Sequence, residues 1–440
     1  MHIREFIELL RNEGCLKEIS ETLSTKYEIP YVLKKYDGKK AVLFTSVRGY
    51  KTQIFGGALC RREFIAKGLQ TSPEKVLQKI IQSMKKPVKP KVFSDGACQE
   101  VERDDVDLIH DLPILTHYEK DGGPYITSGI VLAKEPETGR VNASYHRMMV
   151  IGKDKLAARL VEGRDLHRFY SQSESKGRPL EAAVVIGAPV ELLVAAATSP
   201  GQMCELDVAG GLTGSPLELV HCRTIDISVP RYAETILEGE FLLEHAKEGP
   251  FVDVTGCYDT IRDQPVFEVG ALTMREDALY QALLPGGMEH KLLMGLPREA
   301  KILDTVRSVS KVSDVSLSMA GSNWLDAIIS IRKTHPNEPY LTGMAALTAH
   351  YSLKRVIIVD DDVDVRDMLA VEKAIIERAH PAEDYFIIKN VKGSTLDMSV
   401  LREGGVKLAP AKLIIDATIK GERMFFENAK IPVRKNFKAP

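Results

Sequence analysis

The sequence predicts an α/β protein: a small N-terminal α/β domain, a β-rich centre that folds as a barrel or curved sheet, and a C-terminal α/β domain. Three observations predict it. The first residues mix helical apolar spacing with short β-like runs. The stretch from Thr127 to Val269 is a series of short apolar segments broken by Gly and Pro. Beyond Leu292, strand-like and helix-like patterns alternate. A chain of 440 residues is long enough for two or three domains. Boundaries are expected to give residues 1–95, 96–300 and 301–440.

Ile3, Phe6, Ile7 and Leu10 recur at helical spacing, and Gly14 ends that helix. AVLFTSV from Ala41 and QIFGGAL from Gln53 read as strands. Ser72 and Pro73 then cap a second helix carrying Val76, Leu77, Ile80 and Ile81 on one face. It runs out at KKPVKPKV, Lys85 to Val92, whose prolines and lysines describe an extended linker. In the centre, SGIVLA, NASYHRMMVI, AAVVIGAP, RTIDISVP and PVFEVGAL are the candidate strands. In the third region, apolar helix spans Leu292 to Ile302. RVIIVDDD reads as a buried parallel strand, followed by a helix from Val365 to Ala379 that Pro381 stops.

Composition narrows the function. A hydrophobic share of 44%, a charged share of 27% and a formal net charge of -2 give no footprint for nucleic acid or an anionic membrane. The longest apolar run, Ala182 to Val190, contains Gly187 and Pro189 and is too short to span a bilayer. MHIREFIELLRNEG lacks the plan of a secretory signal, so a cytoplasmic location is expected. The cysteines at 15, 60, 98, 204, 222 and 257 show no metal or redox spacing and read as packing residues.

Single motifs decide little. Asp360, Asp361, Asp362 and Asp364 suggest a calcium loop, but the required Gly and bidentate Glu are missing, so a structural strand end is expected. AGGLTG, Ala209 to Gly214, opens no evident helix and reads as a turn. No phosphate loop, nucleophile elbow or metalloprotease motif is present.

An ordered set of segments is more informative. GPYITSGIVLA (123–133), NASYHRMMVIGKDKLAARL (142–160), CELDVAGGLTGSPLELV (204–220), EGPFVDVTGCY (248–258), LTMREDALY (272–280), VIIVDDDVDVRD (356–367) and IDATIKG (415–421) each resemble the corresponding segment of the UbiD family, in family order. The resemblance runs from the first helix to about residue 421. It implies a split-barrel flavin-binding centre, a C-terminal α/β oligomerisation domain, and a prenylated FMN cofactor held through a divalent metal, manganese or magnesium, with potassium beside it in some members.

By the same resemblance Asn142, His167 and Glu205 are the metal ligands, and Tyr145, His146, Arg147, Arg159 and Leu160 contact the flavin. An amide oxygen, an imidazole and a carboxylate suit a hard, octahedral ion. Arg147, Glu248 and Asp253 are the implied catalytic network. Loss of CO2 from an sp2 carbon needs an electron sink that no side chain offers, which leaves the protein to orient the carboxylate and deliver a proton. Asn142 and Arg147 are five apart, so a regular strand would point them to opposite faces; either an irregularity lies between them, which is the expectation, or they address different ends of the cofactor.

The implied partners are a small carboxylic acid, a flavin prenyltransferase that supplies the cofactor, and further copies of the chain in a homodimer or homohexamer. Compact length and a Lys- and Ile-rich composition favour trans-anhydromevalonate 5-phosphate of isoprenoid biosynthesis among the family's substrates. An aromatic acid of the 3-polyprenyl-4-hydroxybenzoate type is the alternative. A redox flavoprotein on the same fold would leave Glu248 and Asp253 idle, and a non-catalytic subunit would not be expected to keep the arginine with both acids.

Overall fold

A computed structural model describes residues 1–401, 407–422 and 426. The chain divides into two compact units, Met1–Ala300 and Lys301–Pro440.

The first unit opens with the expected helix, Ile3–Asn12, which buries Ile3, Phe6, Ile7 and Leu10, with Gly14 beyond it at a φ of 66°. Leu16–Ile19, Ala41–Phe44, Gln53–Gly56 and Leu279–Ala282 form a four-stranded sheet. The last of these returns from far along the chain and pairs in parallel with Gln53–Gly56. Pro73–Lys75 is a turn of 3-10 helix that leads into Val76–Lys85. The lysine- and proline-rich linker is tethered at two points. Val88 N–H donates to the carbonyl of Asp207, and Lys91–Phe93 pairs with Glu218–His221.

The centre is one curled sheet of nine strands, a half-barrel. Its path runs Tyr125–Ile126, Met148–Val150, Lys155–Ala158, Arg262–Met274, Thr235–Glu248, Leu180–Ile186, Ile130–Lys134, Val141–Tyr145, with Val101–Arg103 added to Arg262–Met274. The inner face packs Val131, Leu156, Val184, Leu237, Phe241, Phe267 and Leu272, all fully buried, each contributing ~1.5–3 kcal/mol by leaving water. The two long strands shift register between Glu238 and Gly239 and again between Phe241 and His245, which bends the sheet. Gly239 is required at the first shift, because a Cβ there would collide with the Glu268 carbonyl.

Val141–Tyr145 and Met148–Val150 lie near opposite ends of this path although only His146 and Arg147 separate them. The chain therefore leaves one edge of the half-barrel and enters the other within two residues. This is the irregularity that the spacing of Asn142 and Arg147 requires.

AGGLTG departs from the turn expected of it. Ala209 to Thr213 form the end of the helix Glu205–Thr213, and Gly214 is its left-handed C-cap. Gly210 and Gly211 let that helix approach the backbone of Val88 and Ser83, so their small size serves packing rather than a turn.

The second unit is a five-stranded sheet in the order Val312–Leu317, Asp326–Ile331, Arg355–Asp360, Ala411–Ala417, Tyr385–Lys389. RVIIVD sits between two parallel neighbours, as its unbroken apolar run predicts. The following helix, Met368–Arg378, starts later than expected because Asp367 caps it, accepting from the N–H groups of Leu369 and Ala370. Asp360 ends its strand structurally, with Oδ2 accepting from Ile419 N–H and Arg378. Residues 427–440 of the third expected region lie outside the described residues.

Candidate active site

Arg147 sits in the two-residue break of the half-barrel, so its side chain is freed from strand alternation. Glu248 ends the strand Thr235–Glu248 and its side chain is 0% exposed. The two meet bidentately. Arg147 Nε donates to Glu248 Oε1 at 2.9 Å and Nη2 to Oε2 at 3.0 Å. Tyr125 OH donates to the same Oε1 at 3.1 Å. Phe251 covers a face of the guanidinium, with 4.7 Å between its ring centroid and the Arg147 Cζ. Burial works against the Arg147 charge, yet hydrogen bonding and attraction to Glu248 hold its pKa above the ordinary value.

Residues 249–261 leave the sheet between its two long strands and fold back as a small hairpin, Phe251–Val252 against Tyr258–Asp259. That hairpin delivers two more acids. Asp253 Oδ2 stands 3.6 Å from Arg147 Nη1, and its Oδ1 accepts the Val254 N–H at 2.6 Å. Asp259 Oδ2 accepts from Arg147 Nη2 at 3.0 Å and from Arg262 Nη1 at 2.5 Å. Burial alone would raise the Asp259 pKa, but Arg262 and Arg147 overcome it and hold the carboxyl below its usual value.

Neighbouring segments support the hairpin. Gly122 N–H donates to the Pro250 carbonyl, and Lys120 N–H to the Tyr258 hydroxyl oxygen at 3.2 Å. His290 lies nearby with Nδ1 accepting the Gly286 N–H at 3.1 Å. Burial lowers its pKa, against the pull of Asp253, and with Nδ1 accepting, the ring's N–H is at Nε2. His117 is buried with no hydrogen-bond partner on either ring nitrogen among the described residues. Burial drives its pKa down to about 3, and its approach to Asp121, 4.0 Å, is therefore not an ion pair.

A second cluster lies on the edge strand. Asn142 and Glu205 are both buried, with Asn142 Nδ2 and Glu205 Oε1 3.2 Å apart. Glu205 Oε2 accepts the Ala143 N–H at 3.0 Å, and Asn142 Oδ1 accepts from Ser144 Oγ at 2.8 Å. Burial raises the Glu205 pKa to about 7, opposed by the Ala143 N–H. His167, on the helix Asp165–Ser175, is half-buried and forms no hydrogen bond or ion pair with either residue. Among the described residues no three His, Cys, Asp or Glu side chains form a metal cluster. Cys204 is held by burial as a thiol, its pKa pushed up to about 12.

Between the clusters, His146 Nε2 bonds Ser144 Oγ at 3.0 Å and Nδ1 bonds the Arg159 carbonyl at 2.9 Å. The Arg159 N–H donates to the Arg147 carbonyl, Leu160 N–H to Gln264 Oε1, and Tyr145 OH to the Leu193 carbonyl. The structure thus brings Arg147, Glu248 and Asp253 together at one centre and Asn142 with Glu205 at another. It adds Tyr125, Phe251, Asp259 and His290, which the sequence alone did not single out. Tyr125 and Asp259 were within reach of it: one lies inside the segment GPYITSG and the other follows EGPFVDVTGCY directly.

Comparison with known proteins agrees with this architecture. Three family models match in order: the 3-octaprenyl-4-hydroxybenzoate carboxy-lyase N-terminal domain over residues 7–84, the Rift-related domain over 91–288 and the C-terminal domain over 291–417. The anhydromevalonate phosphate decarboxylase of Methanothermobacter thermautotrophicus is 38% identical over 94% of this chain and 96% of its own length. The UbiD-class enzyme HmfF from Pelotomaculum thermopropionicum, solved in complex with FMN, superposes with a TM-score of 0.95 at 36% identity, covering 100% of this chain and 99% of that one. An evolved dimeric form of HmfF in complex with prFMN gives 0.91 at 34% identity, covering 99% and 98%. The family models and the relatives they sit beside are carboxy-lyases. The chain belongs to the UbiD family.

Proposed function

We propose that this chain catalyses the non-oxidative, reversible decarboxylation of trans-anhydromevalonate 5-phosphate in isoprenoid biosynthesis, with prenylated FMN as cofactor. The observation that carries the reading is Arg147, locked on one side by buried Glu248 and presenting Nη1 toward Asp253. The anhydromevalonate phosphate decarboxylases that resemble it along nearly its whole length support the substrate. The flavin complexes of HmfF support the cofactor.

When bound, the flavin supplies the electron sink for the carbon that loses CO2. Arg147 binds and orients the substrate carboxylate, with Glu248 fixing the guanidinium. Asp253 delivers the proton to the carbon that CO2 has left. Tyr145, His146, Arg147, Arg159 and Leu160 would hold the flavin.

Asn142 and Glu205 fit a divalent ion, manganese or magnesium. Their facing atoms are 3.2 Å apart, and turning the amide over would place two oxygens there, close to the ~3 Å between adjacent oxygens on an octahedral ion with bonds of ~2.1 Å. Glu205 is buried without a Lys or Arg ion pair among the described residues, and an ion would supply its missing counter-charge. His167 completes the proposed set from the adjacent helix. A potassium ion beside it is part of the same reading, with no residue assigned to it.

The division at residues 95 and 300, a cytoplasmic location and a homodimer or homohexamer built through the C-terminal region belong to this reading too. No helix among the described residues is long and apolar enough to cross a membrane. The test is to express the chain with a flavin prenyltransferase and measure CO2 release. Turnover of trans-anhydromevalonate 5-phosphate is expected. Turnover only of a 3-polyprenyl-4-hydroxybenzoate-type acid would overturn the substrate.

A further inference from the structure

A guanidinium carries five N–H donors on two usable edges. The Nε and Nη2 edge of Arg147 is taken by Glu248. The remaining edge, Nη1 with the outer hydrogen of Nη2, is the one place where a second carboxylate can bind bidentately. Among the described residues Nη1 has no acceptor within hydrogen-bond distance, and Asp253 Oδ2 stands at 3.6 Å. Nη2 is engaged at 3.0 Å by Asp259. Half of the free edge is therefore occupied by an acid of the protein itself.

Asp259 is not committed to that position. The same Oδ2 accepts from Arg262 Nη1 at 2.5 Å, and Oδ1 accepts the Thr260 N–H at 2.8 Å. Neither bond involves Arg147, so Asp259 has partners of its own besides that guanidinium. Its side chain is 19% exposed, against 0% for Glu248, and it lies in the excursion rather than on a long strand.

We propose that Asp259 is a placeholder for the substrate carboxylate. In the substrate-free protein it occupies Nη2 and keeps the buried guanidinium oriented and charge-balanced. An incoming carboxylate takes Nη1 and Nη2 together, and Asp259 lets go of Arg147 while keeping Arg262. When CO2 leaves, the substrate's anionic group at Arg147 is gone, and Asp259 returns to Nη2 as product departs. No bond is made or broken in this exchange, and Asp259 is a positioning residue that acts through Arg147. The inference rests on the reading that the substrate presents a carboxylate to Arg147.

The test measures binding of the saturated analogue of trans-anhydromevalonate 5-phosphate to the flavin-loaded enzyme, together with KM and kcat for CO2 release. The analogue keeps the carboxylate and lacks the reactive double bond. Asp259→Asn and Asp259→Ala should each tighten it about tenfold, the effect of removing one competing charge-assisted hydrogen bond, with KM falling in parallel. Arg262→Gln removes the resting partner of Asp259 and should weaken binding. The analogue with its carboxylate converted to a primary amide should bind all variants alike. Unchanged or weaker binding in both Asp259 variants, tighter binding in Arg262→Gln, or equal tightening of the amide would each overturn the proposal. A wild type that binds the analogue and releases no CO2 would overturn the functional reading instead, since the binding comparison decides the placeholder on its own.

Discussion

Arg147 and Glu248 lie 101 residues apart in the chain and meet through two hydrogen bonds of 2.9 and 3.0 Å. Both Glu248 oxygens are occupied by Arg147, with Tyr125 also on one of them. Glu248 therefore anchors the cation rather than supplying protons. Glu248→Gln should destabilise the protein toward the lower end of the ~3–5 kcal/mol typical of breaking a buried pair, because Asp259 still faces the stranded arginine. Urea denaturation of both proteins measures it, and equal stability would show the pair to be screened by water.

Asp253 is the proposed proton donor, its side chain 25% exposed and 3.6 Å from Arg147. Asp253→Asn keeps the volume and removes the proton. Turnover should fall by ~10²–10⁴, and exchange of the product's vinylic hydrogen with D2O should slow with it, while the flavin remains bound. Near-normal exchange in a flavin-loaded mutant would move the proton's source elsewhere.

The Asn142 and Glu205 cluster is predicted to hold flavin through a metal. Glu205→Ala should be purified with little flavin, and prolonged dialysis of the wild type against a chelator should release it. The flavin-to-protein absorbance ratio reports both, and full retention in Glu205→Ala would refute the assignment.

His117 makes stability depend on pH. Its pKa is about 3 in the folded protein, against ~6.5 when unfolded. The unfolded chain therefore takes up the proton first, so this contribution is complete above pH ~6.5 and declines as pH falls toward 3, by at most ~1.4 kcal/mol per pH unit. His117→Phe should flatten the fall of the urea midpoint between pH 6.5 and 4. An unchanged slope would mean that the imidazole is solvated.

Leu369 and Ile376, seven residues apart on the helix Met368–Arg378, are 81% and 75% exposed. A buried contact with another copy of the chain would cover them. Leu369→Glu with Ile376→Glu should shift sedimentation to a smaller species, and a wild type that stays monomeric at micromolar concentration would contradict the oligomer.

Much of this was legible in the sequence, for identifiable reasons. The opening helix and RVIIVD were readable because one obeys helical spacing and the other is apolar throughout, patterns that burial imposes directly. The break at His146 and Arg147 followed from a parity argument about strands. AGGLTG, Ala209 to Gly214, was misread as a turn because its glycines serve close helix packing, and a close approach from residues 83–88 leaves no mark in the local pattern. Asp259 escaped notice because its role depends on a hairpin pairing it with Phe251, and His117 because its lack of partners is a property of three-dimensional surroundings.

Glu248 is the last residue of one long strand, and Arg262, its register partner, is the first of the next. Everything from 249 to 261, including Asp253 and Asp259, hangs between those two fixed posts. Insertions, deletions and substitutions within that interval can alter the reach of the proton donor and the competition for Arg147 without disturbing a ladder of the half-barrel. The excursion thus carries both acids outside the ladders of the half-barrel, while Glu248, the anchor of Arg147, is held within one.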